Sequence, residues 1–282
     1  MNNVFNIKRF GLLINKDLQE NGKRYLLSSL TLFGILAIGL TSGSWSAYSE
    51  NPSYNIENLN RDQLNVFSFL FAAFGLFFAS TAMNPMDSKT KRIAYLSLPS
   101  SNFEKYFSRW LIVTIGYIVV FFIALWLADL LRVLICSIKF PEGEFRMLDF
   151  SKLICTKSKG SGVYVFDHPT IFGLILSIYF LLQSVFILGT TFWQKNSFIK
   201  TFSLSAILIV LFILICSWAI SSFYEDFNSF GNVMNSFFFT SNYYYSWKKP
   251  TIIVTFIISC FTLIYWVIAY FRFKESEIIK RL

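Results

Sequence analysis

The residues able to do chemistry are few in this chain, and their spacing excludes most of it. There is one histidine, His168, followed by Pro169, and there are four cysteines, Cys136, Cys155, Cys216 and Cys260. A single imidazole rules out the HExxH arrangement and any multi-histidine metal site. Cys216 and Cys260 lie in long apolar runs, where a free thiol packs as a small hydrophobe. Cys136 and Cys155 lie between two such runs and could pair only in an oxidising compartment. Two cysteines on one loop are weak grounds for a bond, and they are expected to stay free. Asp129 and Arg132, one helical turn apart, are expected to form a local ion pair. No acidic pair lies inside an apolar run, so an embedded carboxylate mechanism or proton relay has no candidate residues. Gly22-Lys23-Arg24 lacks the leading glycine and the trailing Ser or Thr of a phosphate loop. The chain is not expected to be an enzyme, and function must be sought in the elements themselves.

Those elements are dominated by hydrophobicity. Of 282 residues, 55% are apolar, 20% aromatic and 15% charged, against about 45–50% apolar and about 25% charged in an average soluble domain. The apolar residues come in unbroken blocks, not alternating stripes. Six blocks match the ~17–25 residues needed to cross a bilayer as a helix: Tyr25–Trp45, Val66–Met83, Trp110–Ala128, Ile171–Trp193, Phe202–Phe223 and Thr251–Phe271. None contains a charged residue. Helix is the expected state, because a lipid-facing backbone must satisfy its own hydrogen bonds and barrel alternation is missing. The expected fold is an all-α integral membrane protein of six transmembrane helices, forming a single transmembrane domain over residues 1–282. The first block follows a leader too long for a typical signal peptide, and its apolar run exceeds an h-region, so it reads as a retained span.

Six spans put both termini on one side. Residues 1–24, 84–109, 194–201 and 272–282 together carry sixteen basic and six acidic residues, leaving nine basic and ten acidic for the other side. Counted on Lys and Arg, both termini are expected in the cytoplasm. The net charge of +9 is thereby mostly orientation signal and membrane-surface contact, and nucleic acid is not an expected partner.

Between the spans, residues 4–18 read as an amphipathic helix within the cytoplasmic segment 1–24. Val4, Ile7, Gly11, Ile14 and Leu18 share a face, flanked by Phe10 and Leu13, with Lys8, Arg9, Lys16 and Asp17 mostly opposite. Such a basic helix can lie in the interface of an anionic leaflet, with Val4, Ile7, Phe10, Ile14 and Leu18 toward the bilayer. The alternative is a leader that only sets topology. Residues 84–109 form the most informative connection. Asn84-Pro85 is expected to end the second helix, and Leu98-Pro99 imposes another break. Ser101 with Glu104 three residues later fits a capping box, so a new helix begins there and runs into the third span. The expected product is a stiff, basic helix–break–helix elbow that exposes Tyr95, Leu96, Leu98 and Phe103. It suits a docking surface for a soluble partner, or a loop tucked against headgroups. Residues 129–170 read as a polar outer loop, and residues 224–250 as an aromatic outer or re-entrant segment.

The layout resembles the membrane subunit of an ABC-2 type ABC transporter. The likeness rests on the amphipathic N-terminal helix, the six spans, the aromatic segment 227–247 and the elbow Leu96-Ser97-Leu98-Pro99-Ser100-Ser101-Asn102-Phe103-Glu104-Lys105. The third connection is longer than the family pattern. The resemblance implies a permease, mostly an exporter, in the inner membrane of a bacterium. It implies a second permease subunit, as homodimer or heterodimer, and separate ABC ATPase subunits that bind ATP and Mg. Those ATPases would dock on Tyr95, Leu96, Leu98, Pro99, Phe103 and Glu104. The competing reading is a non-transport membrane protein acting as an assembly or sensory subunit.

Overall fold

No proline falls inside any of the six apolar runs, so nothing interrupts a helix once its backbone must be satisfied internally. The computed structural model describes residues 5–50, 54–141, 143, 145–154, 165–166, 168–193, 195–223 and 248–278. Among them, six helical segments are long and apolar enough to cross a membrane. These are α1 (Ile7–Glu50), α2 (Ile56–Ala79), α4 (Asn102–Leu111) running through a π-helical turn (Ile112–Gly116) into α5 (Tyr117–Lys139), α6 (Pro169–Phe192), α7 (Ser197–Phe223) and α8 (Lys248–Ile278). A short helix, α3 (Lys89–Leu96), lies between α2 and α4. The only sheet-like pairing among the described residues is an isolated bridge between Ile154 and Phe166.

Three boundaries differ from the sequence expectation. The N-terminal amphipathic helix and the first span are one continuous helix, α1. The segment between them holds no proline, and Gly22 alone costs only about 1 kcal/mol relative to alanine, too little to break a helix flanked on both sides. α2 begins at Ile56 and ends at Ala79, ahead of Asn84-Pro85, with Ser80 as its C-cap. Thr81–Met83 form turns, and Pro85 sits in a 3₁₀ turn, Asn84–Met86. α5 continues to Lys139, so Cys136 is a helical residue and the connection starts only after it. Cys136 is a free, buried thiol; Cys155 and the aromatic segment 224–247 lie outside the described residues.

Two packed groups hold the helices. In the first, Leu32, Leu36 and Leu40 of α1 repeat every four residues and meet Phe121, Ala124, Leu125 and Ala128 of α5, with Leu64 and Phe67 of α2 closing the group. The second joins Met83 and Met86, Tyr95, Tyr106 and Val113 to Phe186 and Ile187 of α6 and Ala269 and Phe273 of α8. α6 and α8 lie alongside each other, with Phe180 against Trp266 and the Arg272 guanidinium 4.8 Å from the Phe192 ring centre. Glycine permits close approach at two crossings. A Cβ at Gly75 would overlap the Tyr179 hydroxyl, and one at Gly189 would overlap Thr201 Oγ1. Gly75→Ala is therefore expected to cost about 1–3 kcal/mol by overpacking, read as a lowered thermal unfolding temperature in detergent. Gly173, which has nothing within 4 Å of a built Cβ, should accept alanine without loss.

The bundle has two chemically distinct ends. At one, residue 6, α3, α4, the start of α7 and the last turns of α8 come together. Asn6 N donates to Glu104 (2.7 Å), Ser197 Oγ donates to Ser80 O (2.7 Å), and Tyr95 packs on Phe273. At the far end the expected Asp129–Arg132 pair is present and buried, with Nε 2.7 Å from Oδ1. It also ties down the following segment: Arg132 Nη2 donates to Arg146 O (2.7 Å), and Leu148 N donates to Asp129 Oδ2 (2.8 Å). Asp149 caps a 3₁₀ turn (Phe150–Lys152), and the hydrogen bonds from Ser151 hold its carboxyl below the usual carboxylate range. The lone histidine is structural: His168 is the N-cap of α6, its Nδ1 accepting from Thr170 N (3.1 Å), with Pro169 at the first helical position.

Candidate functional site

The elbow is built from local signals that each act within one turn. Ser88 caps α3 by accepting from Lys91 N (3.3 Å). Ser97 closes it, and the chain bends at Pro99, where Ser100 N donates to Leu98 O (2.8 Å). At Ser101 the capping box is complete: Glu104 N donates to Ser101 Oγ (3.2 Å), and Ser101 N donates to Glu104 Oε2 (2.9 Å). Two clasps cross the break. Tyr95 O–H donates to Lys105 O (2.8 Å), and the Lys105 ammonium donates to Leu96 O (2.8 Å), placing a positive charge at the carbonyl end of α3. Ser101→Ala is expected to cost about 1 kcal/mol, measured as a drop in unfolding temperature; Ser101→Asn should retain most of the stability.

The structure divides the expected docking residues. Pro99 and Phe103 are exposed, and Leu96 and Leu98 are half-buried. Tyr95 and Glu104, by contrast, are buried, the latter completely. The expected exposure of Tyr95 is not met, because its ring fills the space between Phe273 and the Arg109 guanidinium, 5.7 Å from its centre. Glu104 does more than cap its own helix. Its Oε1 also accepts from Asn6 N (2.7 Å) and Arg9 Nη2 (3.1 Å), so the same carboxylate fastens the start of α1 to the elbow.

A second polar contact between α1 and α4 escapes the sequence. Asp17 and Arg109 form an ion pair with side chains 9% and 7% exposed. Asn21 Nδ2 donates to Asp17 Oδ1 (2.7 Å), Tyr25 O–H to Asp17 Oδ2 (2.8 Å), and Arg109 Nη1 to the Tyr25 hydroxyl (3.1 Å). The one available signal is the two-faced pattern of α4. Glu104, Lys105, Ser108 and Arg109 make one face; Phe103, Phe107 and Trp110 make the other. Such a polar face is as consistent with water as with a second helix.

Of the expected interface helix, Val4 lies outside the described residues, Ile7 and Leu18 are exposed, and Phe10 and Ile14 are half-buried. The edge that turns inward is Leu13 and Asp17, offset from the apolar stripe. Phe10 adds one ring to a run of aromatic contacts: it stacks on Phe107 (5.5 Å), which stacks on both Phe103 and Trp110 (5.5 Å each).

No family model, curated protein or solved structure matches this chain. Function therefore rests on what the elbow can do mechanically. α4 continues without interruption through the π turn into α5, a rod of about 57 Å at 1.5 Å per residue. Tyr106 O–H donates to Trp266 O of α8 (2.9 Å), and the α1 contacts secure the third helix. The elbow is thus joined to α1 and α8 by hydrogen bonds and to α5 by continuous helix. The π turn, a feature that often marks functional sites in helices, lies where the polar part of this rod gives way to its apolar part.

Proposed function

We propose that the chain is the permease subunit of an ABC-2 type ABC transporter in a bacterial inner membrane, with both termini cytoplasmic. It works with a second permease subunit and takes energy from separate ATPase subunits that bind ATP and Mg, moving a substrate outward. The observation that supports this most is the clasped elbow, bound rigidly to three spanning segments at the end of the bundle that carries the basic excess. A surface that only tethered a partner would not need such attachments. A lever that converts closure of ATPase subunits into a rigid-body movement of helices does. The partner meets α3 and the break through Ile93, Leu98, Pro99 and Phe103; Ile93 is 69% and Phe103 47% exposed. Tyr95 and Glu104 act behind that surface, holding its shape. The first turns of α1 lie at headgroup level, where exposed Phe5, Ile7, Leu12 and Leu18 find lipid and Lys8 and Lys16 find anionic phosphates.

The test is recovery of an ATPase with the full chain, purified in mild detergent from its own cells. A protein with phosphate-loop and signature motifs is expected to co-purify with the unaltered chain. Ile93→Glu with Phe103→Glu should reduce its recovery at least ten-fold while membrane abundance is unchanged. Undiminished recovery, or capture of a partner that is not an ATPase, would reject the reading in favour of an assembly or sensory role.

A further inference from the structure

At the end of the bundle opposite the elbow, a cleft of about 240 Å³ lies between the first turns of α2, Arg132 of α5 and residues 146–152. It is a built feature. Asp149 N donates to Asn60 Oδ1 (2.9 Å) and Asn60 Nδ2 donates back to Asp149 O (3.2 Å), while Lys152 Nζ donates to Glu57 Oε1 (3.4 Å). Those ties fix residues 149–152 to α2. The bonds from Arg132 and Asp129 to Arg146 and Leu148 fix the other side. The cleft is the space left between two anchored walls.

Its lining includes two buried groups with hydrogen-bonding capacity to spare. Gln63 is 2% exposed; its Nε2 donates to Leu40 O and Ser44 Oγ (3.1 Å each), and its Oε1 has no partner. Arg132 is also 2% exposed and donates to Asp129, Arg146 O and the same Ser44 Oγ. Three bonds from a guanidinium with five N–H groups leave donors unused. Ser44 accepts from both Gln63 Nε2 and Arg132 Nη1, and both residues line the same cleft. The close approach is possible because residue 43 is glycine: a Cβ there would lie 3.0 Å from Gln63 Nε2. Burying an unpaired acceptor is costly, so Gln63 Oε1 offers a place to a donor from water or from a ligand. Around them the rim carries both signs, Arg146 and Lys152 with Glu57 and Asp149.

We propose that this cleft binds a small zwitterion, a molecule carrying an ammonium and an oxyanion a few ångströms apart. The oxyanion meets Arg132 and Arg146, and the ammonium meets Gln63 Oε1 and the Glu57 carboxylate. The volume is below the ~300 Å³ at which drug-sized ligands are accommodated, so the ligand is of amino-acid or phosphoethanolamine size. Its source is either a free solute or the headgroup of a neighbouring lipid. The site does not depend on the permease reading, since no elbow residue takes part.

The experiment is isothermal titration calorimetry on the full chain in detergent, with glycine and glycerophosphoethanolamine as zwitterionic probes. Acetate, glycerol phosphate and ethylamine serve as single-charge probes. Saturable binding is expected for at least one zwitterion, and at least ten-fold weaker binding for every single-charge probe. The rim variant Glu57→Gln with Arg146→Gln, which leaves Gln63 and Arg132 in place, should weaken the zwitterion at least ten-fold while a cooperative unfolding transition is retained. The chain in nanodiscs of phosphatidylglycerol alone, or with phosphatidylethanolamine added, separates the sources. Competition by phosphatidylethanolamine identifies a lipid headgroup, and its absence a free solute. No saturable binding of either zwitterion, equal binding of a single-charge probe, or binding unchanged in the rim variant would overturn the proposal.

Discussion

Replacing Arg109 with methionine is expected to lower the stability of the chain by about 3–5 kcal/mol, the cost of breaking a buried pair from one side. The size follows from what is left behind. Asp17, 8% exposed, keeps its bonds from Asn21 and Tyr25 but loses the one cation paired with it among the described residues. Tyr25 loses the donation from Arg109 at the same time, and the Tyr95 ring loses the guanidinium beside it. The surface pair Lys16–Glu20, with side chains 42% and 62% exposed, makes the contrast. Removing it should change stability by no more than about 1 kcal/mol. Replacing both members of the buried pair, Asp17→Leu with Arg109→Met, should recover most of the loss, because no charge then remains unpaired. Thermal unfolding in detergent, arranged as a double-mutant cycle, checks all three values. Limited proteolysis adds the location: Arg109→Met should expose the first turns of α1, while the Leu32–Leu36–Leu40 packing with α5 stays protected. A uniform loss of protection across α1 would count against the pair as a local fastening.

Arg132→Met is expected to have an effect of the same size at the far end, again about 3–5 kcal/mol, but with a different consequence. Here the guanidinium serves three partners on three segments: Asp129 on its own helix, Ser44 on α1 and the carbonyl of Arg146. Its loss strands the Asp129 carboxylate and releases residues 146–149 from the bundle. Cleavage by added protease between Arg146 and Lys152 should become rapid. Lysine is not an equivalent substitute, since an ammonium cannot span partners that a planar fork reaches together; Arg132→Lys should recover less than half of the loss. Asp129→Asn should be milder than Arg132→Met. Its amide oxygen can still accept from Leu148 N and from Arg132 Nε, so the guanidinium left without a counter-charge keeps its hydrogen-bond partners, whereas Arg132→Met removes them all.

The two pairs also show where sequence reading succeeds and where it stops. Asp129 and Arg132 lie three residues apart on one helix, so helical geometry alone puts them together. Asp17 and Arg109 belong to different helices, and nothing in either neighbourhood favours one cation or carboxylate over the several others nearby. The capping box at Ser101 and Glu104 was legible for the same reason as Asp129–Arg132: both partners fall within one turn. The second task of Glu104, accepting from Asn6 and Arg9, was not. Tyr95 is a similar case. Its position beside a break suggested exposure, but the segment folds back so that the ring meets Phe273, a residue far along the chain on α8.

Hydrophobic block length and the absence of internal proline determined by themselves that this chain forms six membrane-length helices. They did so because a lipid-facing backbone must satisfy its own hydrogen bonds, and without the alternation of a barrel strand helix is the state that does so. Local signals likewise determined the break at Leu98-Pro99 and the restart at Ser101, whereas α2 ends at Ala79, ahead of the expected stop at Asn84-Pro85. Only the tertiary structure decided which faces of those helices meet. It turned Leu13 and Asp17 inward in place of the apolar stripe beside them, and hid Tyr95 and Glu104 behind the surface they were expected to form. It also set Gln63 against Arg132 across Ser44. The physical reason is common to all three: periodicity specifies that a helix has faces, while the rotation of each helix against its neighbours depends on which distant side chains fill the same space.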